Sequence, residues 1–259
     1  MQLDRLIAAI EHIAPLSGAA SWDKSGLQVA CRHTDIRRLA VALDPIPSTI
    51  ARALDQGADF VLTHHPLSLA PQLPSRLDNY HAVLSLLFKA DAGLYAAHTS
   101  LDVQPDGPAG WLARHLGLRH PEFLEQTGEN CGFGLAGDLP APCSLADLLE
   151  QLARRISLDV AVTAGTCPEL IRRVAYCTGS GGSLIAEAQA SGADVYITGD
   201  IKYHPALDSA IFLLDVGHHS LEEAMMQEMQ ERLSRTLEVE TFFVASDTPF
   251  RRALTHLPA

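Results

Sequence analysis

Residues 57–63, Gly-Ala-Asp-Phe-Val-Leu-Thr, return in kind at 192–198 as Gly-Ala-Asp-Val-Tyr-Ile-Thr. In each copy a helical segment precedes the Gly-Ala-Asp turn and an apolar run follows it. Further along, His98-Thr99-Ser100-Leu101-Asp102 is matched by His218-His219-Ser220-Leu221-Glu222, each directly after another short apolar run. Two matches in the same order point to a duplicated strand–helix–strand unit, and so to two similar α/β lobes. The plainer alternative is coincidence between two α/β halves, because Gly-Ala-Asp is a common helix-to-strand turn.

The rest of the chain fits that frame. Leu3, Leu6, Ile7, Ile10 and Ile13 recur at helical spacing, and Pro15 stops the run. Short apolar strands are expected at 38–44, 59–64, 94–99, 159–164, 172–178, 194–198, 211–215 and 238–244. Helices are expected from Ser48 to Gly57, at 79–90 with Gly93 as terminator, around 111–116, at 144–156, 183–190 and 221–234. Ser144 with Asp147 three residues on reads as an N-cap. Pro66, Pro71 and Pro74 mark a long loop. Residues 118–138 carry several glycines and little periodicity, and read as a connection holding one strand at 132–138. Strands alternating with helices predict an α/β fold with mainly parallel sheets. The expected division is 1–125 and 126–259, with the C-terminal part of the second lobe packing back on the first.

Composition excludes several functions. Lys+Arg is 19 against Asp+Glu 31, a net charge of −12, which opposes a grip on nucleic acid through phosphate neutralisation. The longest stretch without a formal charge, 60–75, contains two His and three Pro, so no membrane span is expected. Asp4, Arg5 and Glu11 break up any signal-peptide core. The 5 Cys include no Cys-x-x-Cys pair, which reads as reduced thiols in a cytoplasmic protein. The 12 His, two of them adjacent, raise the question of metal.

Four polar clusters fall at expected strand ends, where ligands of open α/β folds gather. They are 63–66, 98–102, 199–204 and 215–222. Side chains of successive strand residues point to opposite faces, so His64 and His65 suit two ions side by side better than one. A capping His beside an exposed one is the alternative. His218 and Glu222, four apart at a helix start, share one face. Asp102 can add a second carboxylate. Such an all-N/O donor set suits Zn, Mn, Fe, Co or Ni. His98 reads as a ligand-orienting group, a proton shuttle, or only part of the repeat. Asp200 and Asp215 can orient ligand imidazoles or simply end strands. The turn 178–183 reads as a tight strand–helix turn or an anion cradle, without the Lys-Ser/Thr of a P-loop. Lys202, Tyr203 and His204 can contact an anionic substrate or form a solvated loop. No Gly-x-Ser-x-Gly is present.

Taken together these segments resemble the GTP cyclohydrolase type 2 homologs, the NIF-three-like family. The matching residues are Ala14-Pro15, Trp22-Asp23-x-x-Gly26-Leu27-Gln28-Val29, Thr63-His64-His65-Pro66-Leu67, His98-Thr99-x-Leu101-Asp102, Thr198 through His204, and Asp215-x-Gly217-His218 with Glu222. The match spans nearly the whole chain in order. The resemblance implies two interlaced α/β lobes with a metal site between them at the strand C-terminal ends. It implies a dinuclear centre on His64, His65, Asp102, His218 and Glu222, and a toroidal homohexamer. Lys24, Ser100 and Pro205 stand where such sequences usually carry Asn, Asn and Asp. None of these removes a ligand.

The resulting expectation is a hydrolase that depends on two divalent transition-metal ions. Its substrate would be small and nucleotide-like or heterocyclic, with ring hydrolysis of GTP as the first candidate. His98 would shuttle protons, and Lys202, Tyr203 and His204 would bind substrate. The alternative is a non-enzymatic metal-binding or adaptor ring. A ring threading nucleic acid is disfavoured by the charge.

Overall fold

The computed structural model describes residues 1–70 and 72–250. Pro71, read above as a loop marker, and residues 251–259, the end of the expected second lobe, lie outside the described residues. Leu6 and Ile10, four apart and fully buried, seat helix α1 (Leu3–Ile13). The chain then forms β1 (Gly26–Val29), β2 (Arg38–Ala42), α2 (Pro47–Asp55), β3 (Phe60–Thr63), α3 (Asn79–Ala90), β4 (Gly93–Ala96) and the one-turn α4 (Thr99–Asp102). Asp78 caps α3 by accepting from the His81 N–H, and left-handed Asp91, not Gly93, ends it.

Strands β2, β3 and β4 are buried almost throughout, as parallel strands covered on both faces must be. Ala40, Val61 and Leu94 pack with Ile50 of α2 and Val83 and Leu87 of α3. The order in this sheet is β1-β4-β3-β2-β11, where β11 is Glu240–Phe243 from the far end of the chain. Only β1, which the alternation in the sequence does not reveal, runs antiparallel.

A second sheet has the order β5-β6-β8-β9-β10-β7. Its members are β5 (Arg119–Gly128), β6 (Cys131–Cys143), β7 (Val162–Ala164), β8 (Ile171–Ser180), β9 (Val195–Gly199) and β10 (Phe212–Asp215). Helices α5 (Trp111–Leu116), α6 (Leu145–Ala153), α7 (Ile185–Ala190) and α8 (Tyr203–Asp208) accompany it, and α9 (His218–Thr236) follows β10 in the chain. Ala175, Tyr196 and Leu213 pack with Ile185 and Ala188 of α7. Ser144 and Asp147 form the expected capping box on α6. Strands β8, β9 and β10 are parallel, while β5, β6 and β7 pair antiparallel at the flanks. The region read as a loose connection is therefore a long hairpin. Most of β5 is exposed, so no apolar alternation marks it, and the ladder to β6 holds it in place.

The chain divides into two compact units. One is Met1–Pro108 with Met226–Ser246, and the other is Ala109–Met225 with the described residues after Ser246. The sequence reading divides at 125/126, inside β5. The repeat has a physical purpose in each unit. The Asp59 carboxylate accepts from the backbone N–H groups of Arg37 and Arg38 at the start of β2. The Asp194 carboxylate accepts from those of Arg172 and Arg173 at the start of β8. Each aspartate thus ties the foot of its own strand to the strand before it.

Candidate metal centre

Register decides what meets at the upper edge of each sheet. In the first, Ala42 lies opposite Thr63, and Thr63 opposite Ala96. The residues just beyond, namely Asp44, His64, His65 and His98, therefore leave the sheet at one level. In the second, Thr198 lies opposite Asp215, which places Asp200 and His218 together. The two units also match here: Ala97 N–H donates to Thr63 O and Val216 N–H to Thr198 O, both at 2.9 Å.

His64 and His65 do not sit on the strand. Strand β3 ends at Thr63, and both histidine N–H groups turn onto Leu43 O. Their rings lie side by side, with centroids 5.0 Å apart. This corrects the expectation of opposite faces, and with it the alternation argument for two ions. His98 joins them at 5.1 and 5.6 Å, and one donor atom from each of the three falls within 4.8 Å of the others. Three imidazoles can thus hold one ion. Asp102, one helical turn beyond His98, brings Oδ1 to 3.5 Å from His64 Nε2.

Each ring is held by an oxygen on its Nδ1. His64 Nδ1 donates to Ala97 O at 2.8 Å, a bond that requires the proton on Nδ1. His65 Nδ1 meets Asp44 at 2.7 Å and His98 Nδ1 meets Asp23 at 2.8 Å. In the second unit His218 Nδ1 meets Asp200 at 2.7 Å. In all four rings Nε2 is then the nitrogen a metal takes, oriented as ligating histidines are in known metal sites. His218 Nε2 lies 2.8 Å from Oε2 of Glu222, which is 4 % exposed. Burial opposes the charged imidazolium, but the hydrogen bond and charge of Glu222, with those of Asp200, push His218 up to about 9. Glu222 has room only because residue 179 is glycine: a Cβ there would fall inside Glu222 Oε1 and 3.2 Å from His218 Nε2.

Other candidates take different roles. Asp215 accepts from the N–H groups of Ile201 and Gly217 and shapes the loop rather than an imidazole. In the 178–183 turn, Gly181 N–H donates to Thr198 Oγ1, and Tyr196 OH donates to Gly181 O. Those bonds are the signature of a packed strand–helix turn. Lys202, Tyr203 and His204 are exposed at the start of α8, with Tyr203 edge-on to His204.

The sequence reading assigned no role to Asp44 or Asp23. Asp44 lies two residues past the end of β2 and 21 before His65, and Asp23 lies 75 residues before His98, so no local spacing signals either pairing. The Asp23 carboxylate is fully buried. It accepts from Lys24 N–H, Ser25 Oγ, Thr99 N–H, Thr99 Oγ1 and His98 Nδ1. Burial alone would raise its carboxyl. The hydrogen bonds from His98, Thr99 and Ser25, with the charge of His98, win and hold it far below its ordinary 3.8. A carboxyl lowered in the folded state stabilises the fold above its unfolded value, and that contribution fades as pH falls below it. Asp23→Asn is accordingly expected to destabilise the protein by about 2–3 kcal/mol at pH 7. The gap to wild type should narrow as pH falls through about 4. Urea melts at pH 7, 5 and 3 read both effects; a pH-independent gap would contradict this account.

With this geometry in hand, comparison with known proteins is informative. The family model described as Duf34/NIF3 (NGG1p interacting factor 3) matches residues 1–249. A Streptococcus pneumoniae protein named GTP cyclohydrolase 1 type 2 homolog is 34% identical over 229 residues, covering 85% of each chain. Reduced HcgD from Methanocaldococcus jannaschii aligns with a TM-score of 0.81 at 30% identity, over 96% of this chain and 98% of that one. A Bacillus cereus protein related to NIF3 shares the fold with a TM-score of 0.85 at 22% identity, over 98% and 99% of the two chains.

Proposed function

Because the chain belongs to the Duf34/NIF3 family, we propose that it is a dinuclear-metal-dependent hydrolase acting on a small nucleotide-like or heterocyclic substrate. Ring opening of GTP is the first reaction to assay. The observation that carries this reading is that the three imidazoles assigned to metal, His64, His65 and His218, have Nδ1 tied to an oxygen, which presets Nε2 for metal. His64, His65 and Asp102 of the first unit, and His218 and Glu222 of the second, are the donors we assign to two divalent ions. Ions bound to such nitrogen and oxygen donors lower the pKa of water and polarise an electrophilic carbon or phosphorus.

The chain's own residues supply the rest. Asp23 fixes the His98 ring, so that Nε2 is the atom that takes and returns a proton. Asp44 and Asp200 lock His65 and His218 against rotation. Lys202, Tyr203 and His204, exposed at the head of α8, contact the anionic part of a substrate in this reading. A toroidal homohexamer and a cytoplasmic location complete it. Among the described residues, no helix is long and apolar enough to cross a membrane.

The test is metal removal. Chelator-stripped protein is expected to be inert toward GTP and a panel of nucleotides. Reloading with one of Zn, Mn, Fe, Co or Ni should restore turnover. Protein that retains stoichiometric metal yet turns over nothing in the panel would overturn the hydrolase and favour a metal-binding adaptor.

A further inference from the structure

A cleft of about 450 Å³ opens in the first unit beside the histidine cluster. Asp23, whose carboxylate holds the His98 ring, and Ser25, whose Oγ accepts from the His98 N–H, form part of its wall. Leu67, two residues after His65, forms another part. The volume suits a small organic ligand.

Hydrogen bonding within the wall narrows what that ligand is. Asp23 is saturated by the five donors described above. Gln28 spends its amide on Lys24 O and Gly26 O, and its carbonyl on the Leu67 N–H. Ser68 Oγ donates to Ala70 O, and Tyr80 OH donates to Gln72 O. Lys24 differs from all of these. It is exposed, it lines the cleft, and among the described residues no carboxylate pairs with its ammonium. Apolar surface lines the cleft beside it, from Leu27, 48% exposed, with Leu67, Ala70 and the Tyr80 ring. A lysine in the lining of a cleft that mixes polar groups with apolar surface, in a chain of net charge −12, favours negative charge on a partly apolar body.

We propose that this cleft is the ligand subsite serving the histidine cluster, and that it takes a small organic anion with its acidic group on Lys24 and its apolar body against Leu27, Leu67, Ala70 and Tyr80. The inference deepens the hydrolase reading and rests on it only for the fate of the ligand. Phosphate and carboxylate share the required chemistry.

Stripped and metal-loaded protein are titrated with phenyl phosphate, benzoate and neutral phenol. Binding is followed by calorimetry and by the fluorescence of Trp22, which is exposed next to Asp23 while Trp111 is buried. Saturable binding of at least one acid is expected in both protein forms, and the tighter of the two identifies the preferred headgroup. Phenol should bind about tenfold more weakly, as should either acid to Lys24→Ala, the loss of one charge-assisted hydrogen bond. Lys24→Arg should restore binding, and Lys89→Ala, exposed on α3 and outside the cleft, should leave it unchanged. Equal binding to wild type and Lys24→Ala, or no saturable binding in either form, overturns the proposal even if metal-loaded protein turns over GTP. Lys24-dependent binding without any turnover sustains the cleft and overturns the hydrolase.

Discussion

His64→Ala and Glu222→Ala are each expected to abolish metal-dependent turnover, with metal affinity falling about 100-fold or more. His64 is fully buried, and its Nδ1 is committed to Ala97 O, so the alanine variant removes an oriented Nε2 from the cluster. Glu222 faces His218 Nε2 at 2.8 Å, and its loss removes that carboxylate from the Nε2 side of the ring. Elemental analysis after dialysis, together with the turnover assay, measures both effects. Gly179→Ala is the informative companion, because it removes no donor. Its Cβ would displace the end of the Glu222 side chain and press on His218 Nε2 at 3.2 Å, and the left-handed φ of 63° adds strain of about 1 kcal/mol. It should therefore lower metal affinity about 10–100-fold while the protein still folds. Wild-type metal content in Gly179→Ala would refute the placement of Glu222 as a ligand.

Gly199→Ala should act on the fold itself. A Cβ at this position would meet the backbone of the next strand's loop, with His218 Cα at 2.6 Å and Gly217 C at 2.8 Å. Backbone cannot swing aside as the Glu222 carboxylate can. Overpacking of this kind costs about 3 kcal/mol, enough to lower the melting temperature by several degrees and to reduce soluble yield. Thermal melts of Gly199→Ala against Gly179→Ala separate the two cases. Equal melting temperatures would show that the loop yields more easily than its geometry implies.

Legibility followed the range of the interactions. Helix α3 runs over 79–90 as its spacing predicts, and the Ser144–Asp147 capping box is where the residues place it, because both depend on neighbours a few positions apart. The strand expected at 132–138 is part of β6, but β1 was missed because it pairs with β4 far along the chain, and β5 because it has little buried surface to pattern its sequence. The same divide runs through the site. Spacing was enough to pair His218 with Glu222. It misjudged His64 and His65, since their geometry depends on where β3 stops and on Leu43 O, not on strand alternation.

What the sequence determined by itself is the class of fold, a repeated Gly-Ala-Asp motif and residues that could bind metal, because periodicity, repetition and donor chemistry are written locally. Only the tertiary structure decided which nitrogen each histidine presents, which aspartates hold the rings, and that Lys24 stands over a cleft. Asp23 and His98 are 75 residues apart, and Asp44 and His65 are 21 apart. Strand register carries each pair to the same edge of the sheet, and a hydrogen bond a few ångströms long then sets the chemistry of the ring.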